Sequence, residues 1–305
     1  MKEGDEADEA VADGQKRTTS RRDLARNPRF EQISPEVGEL DEAAVEEGLV
    51  DEPDETLALL ADLTGATDPK LRELARRLAA KLFFDLARRG PAVPRGVGAL
   101  RELAYQPDRG DLDIDASLET IAEGRAGGVI DVERLRVRGW VRPATALCLL
   151  VDRSGSMGGK PLATAAIAAA AVAARNPLDY SVLAFGKDVV VAKGQDSSKP
   201  GERVVGDLLA LRGFGTTDLA GALQVAAMQL ARSRAARKIT IVLSDCRATV
   251  DGDPAAAAAA LDEVVIIAPE DDAVEARTFA GAVGAGFTTV SGPAAVADAL
   301  ARVLN

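Results

Sequence analysis

Histidine is absent from this chain of 305 residues, and cysteine occurs only twice. The absence of histidine excludes Ser-His-Asp hydrolases, Cys-His proteases and every zinc site that needs an imidazole ligand. Two cysteines are also too few for an all-thiolate zinc site. Any metal chemistry must therefore use oxygen ligands, which favours Mg²⁺, with Mn²⁺ or Ca²⁺ as alternatives.

Aromatic residues and long apolar runs are also scarce. Aromatics make up 3% of the chain, whereas hydrophobic residues make up 47%, so a core must consist mainly of Ala, Leu and Val. No apolar run approaches the roughly 18 residues of a membrane span, and the start Met1-Lys-Glu-Gly-Asp-Glu is unlike a signal peptide. We therefore expect a cytoplasmic protein in which Cys148 and Cys246 are reduced, buried thiols.

Charge is distributed unevenly along the chain. Residues 1–55 contain 18 acidic and 7 basic side chains, which accounts for the whole net charge of −11. The remainder is close to neutral, which argues against nucleic acid or an anionic membrane as a partner. The acidic segment has few large apolar residues and three prolines, so it is predicted to be a disordered arm whose removal costs little stability.

Residues 56–139 are predicted to form a small helical region. Leu57, Leu60 and Leu63, and then Leu71, Leu74, Leu78 and Leu82, recur at helical spacing before Gly90-Pro91. Further short helices are predicted at 97–105 and 116–124.

The pattern changes from Trp140 onward, where apolar strands alternate with helices. This alternation predicts an α/β domain over 140–305 with a doubly wound, mostly parallel sheet. The predicted strands are 144–151, 179–186, 188–193, 238–244, 263–268 and 286–290. The predicted helices are 161–174, 202–211, 218–233, 254–260, 271–282 and 293–303.

An oxygen-rich loop follows the first of these strands. Asp152-Arg-Ser-Gly-Ser156 brings one carboxylate and the hydroxyls of Ser154 and Ser156 into a single turn. Oxygen ligands at alternate positions are suited to a hard cation. Taken alone, such a segment is more often an ordinary turn.

Two later segments supply further oxygen ligands. Gly215-Thr-Thr-Asp218 opens a helix, and Asp245 follows the strand that ends at 244. Each also has an ordinary explanation, because Thr217 can be a helix cap and Asp245 an exposed acid at a strand end. In a doubly wound sheet, however, strand ends at the point where the winding reverses meet in a ligand-binding crevice.

The order Asp-x-Ser-x-Ser, Gly-x-Thr-Asp and Ser-Asp resembles the metal-ion-dependent adhesion site of von Willebrand factor A (VWA) domains. The resemblance covers residues 140–305 and implies a Rossmann-like fold. It also implies a metal shell formed by Asp152, Ser154, Ser156, Thr217 and Asp245. The neighbouring Thr216 is the alternative to Thr217.

Other motifs do not satisfy their patterns. The stretch around Lys160 resembles a phosphate-binding loop, but Ser154 stands where glycine is required and Pro161 where Ser or Thr is required. Asp111-Leu-Asp-Ile-Asp115 resembles a calcium loop, but the required glycine is replaced by Ala116. It is predicted to be a polar strand edge or an interaction segment.

The helical region and the segment from Gly110 to Pro143, followed by the metal loop, resemble bacterial CoxE-like proteins. This resemblance implies that the chain works with a MoxR-type AAA+ ATPase. The D subunits of magnesium chelatases have a similar C-terminal domain, but this chain has no room for their AAA+ module.

Two carboxylates and neutral hydroxyls leave a divalent ion electrophilic, with a position that a partner's carboxylate can fill. We therefore expect a non-enzymatic adaptor that holds a client protein through an acidic side chain for a remodelling ATPase. The alternatives are a chelatase subunit and a metal-dependent hydrolase with Asp218 or Asp251 as the base.

Overall fold

A computed structural model of the chain describes residues 1–89, 99–105, 111–128, 130–141, 144–153, 159–211 and 215–304. The chain forms two units, one comprising Met1–Ala92 with Thr145–Asn305 and the other comprising Val93–Ala144. The predicted boundaries at 55 and 139 differ from this division, because the first 92 residues belong with the α/β domain.

The larger unit contains a six-stranded sheet. Its strands are β4 Thr145–Asp152, β5 Tyr180–Phe185, β6 Val189–Lys193, β7 Arg237–Leu243, β8 Glu263–Pro269 and β9 Gly286–Val290, with β1 to β3 in the smaller unit. Their order is β6-β5-β4-β7-β8-β9, and only the β5–β6 pairing is antiparallel. The prediction of a doubly wound, mostly parallel sheet is confirmed, and every predicted strand matches to within one residue at each end.

Helices cover both faces of this sheet. In chain order after β4 they are α8 Gly159–Arg175, α9 Gly201–Ala210, α10 Leu219–Ala231, α11 Pro254–Ala258, α12 Val274–Val283 and α13 Val296–Leu304. The strand side chains alternate between two cores, so that Leu149 of β4 points to one face and Cys148 and Leu150 to the other. The first core includes α8, α9 and α13, and the second includes α10, α11 and α12. Both cysteines are buried free thiols, as predicted.

The N-terminal segment packs on the first core. It contains α1 Asp5–Gln15, α2 Arg21–Leu24, α3 Phe30–Ile33 and α4 Glu42–Asp51, followed by α5 Pro53–Leu63 and α6 Pro69–Arg89. Helices α5, α6 and α9 lie against α8, whose alanine-rich surface permits close approach. In the described part of the chain, none of the helices combines the length and apolar character needed to cross a bilayer.

The structure differs here from the expected disordered arm. Several large apolar residues of the segment, among them Phe30 and Ile33, are buried in the core that they share with the sheet. At the start of the chain, the Lys2 amide donates to the Val189 carbonyl at 2.8 Å, and Arg232 forms a hydrogen bond of 2.8 Å with Glu3. The segment therefore does not need a core of its own, because it completes one that the domain supplies.

The smaller unit is a three-stranded antiparallel sheet with one helix. Its elements are β1 Ala99–Ala104, β2 Asp111–Leu112, α7 Ile114–Gly127 and β3 Arg136–Val141, and its strand order is β1-β3-β2. The predicted helix at 116–124 is confirmed within α7. The helix predicted at 97–105 is wrong over 99–104, because those residues pair with β3, and residues 97 and 98 lie outside the described part. Asp113, in the segment that resembled a calcium loop, caps α7 by accepting from the Ala116 amide at 3.1 Å.

Candidate metal centre

The predicted ligand Asp152 is the last residue of β4, and Asp245 lies two residues after the end of the neighbouring strand β7, at the point where the sheet reverses its winding. The chain runs from β4 to β5 on one side and later returns to β7 on the other side of β4. Val151 is paired with Leu243 in parallel register, so the residues after each strand end lie side by side. Asp152 and Asp245 line one cleft of about 410 Å³ at this edge.

Asp152 is held by a residue of the neighbouring strand end. The Ser244 hydroxyl donates to Asp152 Oδ2 at 2.6 Å. The same oxygen accepts from the Cys246 amide at 2.8 Å, which fixes the orientation of the hydroxyl. Ser244 is 4% exposed, so this contact is shielded from water. One carboxylate oxygen of Asp152 is therefore fixed by the protein.

Asp245 lies in the loop after β7, directly after Ser244. Its Oδ1 atom accepts from the Arg247 amide at 3.0 Å, which is a local Asx turn. Burial, together with the charges of Asp245 and Asp152, raises the pKa of the Cys246 thiol to about 12. Asp245 therefore lies within the strand-end segment, Ser244 to Cys246, that also holds Asp152.

The loop containing Thr217 is attached to both neighbouring strand ends. The Thr217 amide donates to Thr249 Oγ1 at 2.7 Å, and the Thr249 amide donates to the Thr217 carbonyl at 3.0 Å. On the other side, the Asp218 amide donates to the carbonyl of Gly186, just after β5, at 2.9 Å. The structure thus brings the Thr217 loop to the edge where Asp152 and Asp245 lie. Thr217 is buried and Thr216 is exposed, and the choice between them as ligand stays a prediction.

Ser154 and Ser156, the two remaining predicted ligands, lie outside the described residues, as does most of the segment that resembled a phosphate loop. Within the described part of the chain, no group of three or more His, Cys, Asp or Glu side chains is placed to hold a metal. The predicted site has a different composition, with two carboxylates and several hydroxyls. This donor set fits a hard divalent cation such as Mg²⁺ or Mn²⁺.

Helix α5 lies along the edge of the cleft. Asp62 Oδ1 accepts from the Gly159 amide at the start of α8 at 2.8 Å. Glu55 pairs with Lys160, a cleft residue, at 2.7 Å. Asp54 Oδ1 accepts from the Ala294 amide at 2.8 Å, next to the cleft residue Gly292. The helical region predicted from the leucine pattern therefore forms part of the site's surroundings.

Sequence reasoning missed the two hydroxyls that orient this site. Ser244 was visible as the residue before Asp245, but its partner Asp152 is 92 positions away. Thr249 gave no signal in the sequence, because it acts through backbone atoms of a loop 32 positions earlier. Asp218, a candidate base, accepts from the Gly221 amide at 2.8 Å as the cap of α10.

A family model described as "VWA domain containing CoxE-like protein" matches residues 86–282. No curated protein matches the chain. Among solved structures, the manganese-loaded TRAP protein of Plasmodium vivax is 14% identical, with a TM-score of 0.43 over 53% of this chain and 72% of that one. A von Willebrand factor type A protein from Catenulispora acidiphila is 18% identical, with a TM-score of 0.42 over 55% of this chain and 43% of that one.

Proposed function

Because this chain belongs to the family of CoxE-like proteins that contain a VWA domain, we propose that it is a non-enzymatic, Mg²⁺-dependent adaptor. It binds an acidic side chain of a client protein at the cleft between β4 and β7. It presents that client to a MoxR-type AAA+ ATPase for remodelling or maturation.

The convergence of Asp152 and Asp245 in one cleft is the observation on which this proposal rests. A divalent ion held there supplies an electrophilic position for an anionic oxygen. The two carboxylates balance the charge of a divalent ion but do not exceed it. A third carboxylate, from a partner, is therefore not repelled and can bind the ion. The predicted hydroxyl ligands Ser154, Ser156 and Thr217 add no charge.

The protein's own residues prepare this position. Ser244 fixes one oxygen of Asp152 at 2.6 Å, so the carboxylate need not reorient when a cation binds. Lys160 lines the same cleft and adds a positive charge beside the entry of an acidic group, although it also pairs with Glu55. A cleft of about 410 Å³ has room for a side chain and a few neighbouring atoms of a partner.

Two alternatives have less support. A metal-dependent hydrolase needs a base beside the ion, yet the Asp218 carboxylate is already used as a helix cap, and Asp251 is an exposed loop residue. A chelatase subunit would share the binding chemistry but requires a different client. The adaptor needs only binding, which the site's donor set supports.

The Asp152→Ala variant tests the proposal, with Asp271→Ala as a matched control, because Asp271 is an acid of the same cleft that was not predicted as a ligand. Calorimetry with Mn²⁺ and Mg²⁺ should show binding to the wild type and to Asp271→Ala but none to Asp152→Ala. Pull-down of the MoxR-type ATPase or client from the same organism should require the cation and be abolished by EDTA.

Equal metal affinity in the Asp152→Ala variant would contradict the site. Metal binding without any effect of EDTA on association would preserve the site but contradict the bridging role. Turnover of a phosphoester or peptide that is lost with Asp218→Asn would favour the hydrolase instead.

A further inference from the structure

Helix α7 of the smaller unit exposes large aliphatic residues along one flank, while small and polar residues face its own sheet. The face that packs toward its own sheet includes Ser117, Thr120 and Gly124, which are buried. The adjoining flank carries Ile114 and Leu118, which are 63% and 61% exposed, and the half-buried Ile121 lies between this flank and the inner face. A helix that serves only its own unit places its aliphatic residues on the inner face.

Hydrogen bonds fix this orientation. The Ser117 hydroxyl accepts from the Arg136 amide at 2.9 Å and donates to the Arg136 carbonyl at 3.2 Å. The Asp113 amide donates to the same carbonyl at 2.9 Å, and Arg138 Nε donates to Asp113 Oδ2 at 2.7 Å. Rotating α7 to bury its aliphatic residues would break all of these contacts, so the exposed face is a built feature of the unit.

Other apolar side chains of the smaller unit are exposed as well. Among its described residues, Val137 is the large aliphatic side chain that is fully buried, at 1% exposure. The further exposed residues are Tyr105, Leu112, Ile130 and Val132. Where side-chain burial is described in this unit, more large apolar groups are exposed than buried, which is typical of an interaction surface.

Acidic residues accompany the aliphatic ones on α7. Asp115 and Glu119 are exposed and lie one turn apart, next to Ile114 and Leu118. Glu123, one turn further, pairs with Arg134. Within the described residues, neither Asp115 nor Glu119 forms an ion pair. This part of α7 therefore combines an apolar flank with two exposed carboxylates that make no ion pair among the described residues.

We propose that the exposed face of α7 is a docking surface for a partner protein whose apolar contact patch is bordered by lysine or arginine. The apolar area favours association, and the two carboxylates select the charge of the partner. This docking requires no metal ion and does not depend on the proposed function of the cleft.

The test uses the full-length chain and two synthetic helical peptides of about 20 residues, long enough to form a helix on binding. Both peptides carry the same leucine stripe, bordered by lysine in one and by glutamate in the other. Fluorescence anisotropy should show that the wild type binds the lysine peptide at least about tenfold more tightly than the glutamate peptide. EDTA should leave this preference unchanged.

Three variants identify the surface. Leu118→Ser should weaken binding of the lysine peptide by about tenfold, whereas Leu178→Ser, at a 90% exposed leucine of the larger unit, should not. The Asp115→Lys, Glu119→Lys double variant should reverse the preference between the peptides. Because all of these side chains are exposed, circular dichroism should show an unchanged fold.

Equal affinity for the two peptides, or no binding of either by the wild type, would overturn the proposal. So would a wild-type dimer in analytical ultracentrifugation that Leu118→Ser converts to a monomer, since the occupant would then be a second copy. Strong protection of the α7 amides by the larger unit of the same chain would likewise overturn it.

Discussion

Ser244→Ala should weaken metal binding without altering the fold. The hydroxyl donates to Asp152 Oδ2 at 2.6 Å in a buried position, so its removal leaves a carboxylate less well oriented. A hydrogen bond to a charged group contributes about 1.5–3 kcal/mol, and loss of an outer partner of a ligand lowers metal affinity by about 10–100-fold. We expect Mn²⁺ affinity, measured by calorimetry, to fall within that range.

Two further variants distinguish the orientation of Asp152 by the Ser244 hydroxyl from a general effect of changing the cleft. Ser244→Thr retains a hydroxyl and should recover most of the affinity. Ser291→Ala removes a hydroxyl from the same cleft at a residue without a side-chain contact to Asp152 among the described hydrogen bonds, and should have little effect. The free energy of unfolding in urea, measured without metal, shows whether the fold of each variant is intact.

Unchanged affinity in a folded Ser244→Ala variant would refute this reasoning, because the carboxylate would then be oriented by other groups. An equal loss in Ser244→Ala and Ser291→Ala would show that the cleft as a whole, rather than the Asp152 contact, controls binding.

Phe30→Ala should lower the free energy of unfolding by about 3–5 kcal/mol, whereas Val37→Ala, 75% exposed, should change it by less than about 0.5 kcal/mol; equal, small effects would restore the disordered-arm interpretation. The hydrogen bond from Arg232 lowers the pKa of the Glu3 carboxyl group. The ionised Glu3 side chain therefore stabilises the fold at pH values above the ordinary carboxyl range, and this stabilisation is lost as the pH falls through the lowered pKa. The melting temperature of the Glu3→Gln variant should therefore fall less than that of the wild type when the pH is lowered from about 7 to about 3. Burial raises the pKa of Cys148 to about 12, so mass spectrometry should find this thiol unmodified by iodoacetamide at about pH 8 until the protein is unfolded.

The sheet was predictable because each strand is a short apolar run bounded by turn residues. In β4, every residue from Ala146 to Val151 is buried, and only the ends reach the surface. A strand that is covered on both faces has a continuous run of apolar residues, which can be recognised in the sequence. The positions of Asp152 and Asp245 follow from it, since Asp152 comes directly after the run in β4 and Asp245 comes one residue further after the run in β7.

The N-terminal segment could not be predicted in the same way. The content of large apolar residues indicates whether a segment can form a core by itself. In residues 1–55 this content is too low. Phe30 and Val45 are nevertheless buried at 1% and 0%, because the α/β domain provides the opposite side of the contact. The same limit applies to β1, whose Ala-Leu-Arg-Glu-Leu-Ala sequence favours a helix locally but pairs with β3 over more than 30 positions.

The two proposed surfaces differ in chemistry, and this difference makes them separable. By these proposals, the cleft at Asp152 and Asp245 requires a cation and then selects an acidic group, whereas α7 needs no metal and selects a basic one. EDTA should therefore abolish only the first interaction, while salt should weaken the exposed charge selection of the second. An adaptor that binds two proteins at once gains from such opposite preferences, because neither partner can occupy the other's surface. If one partner showed both sensitivities, it would have to carry an acidic residue and a basic apolar patch, and the chain would act as a clamp on a single protein.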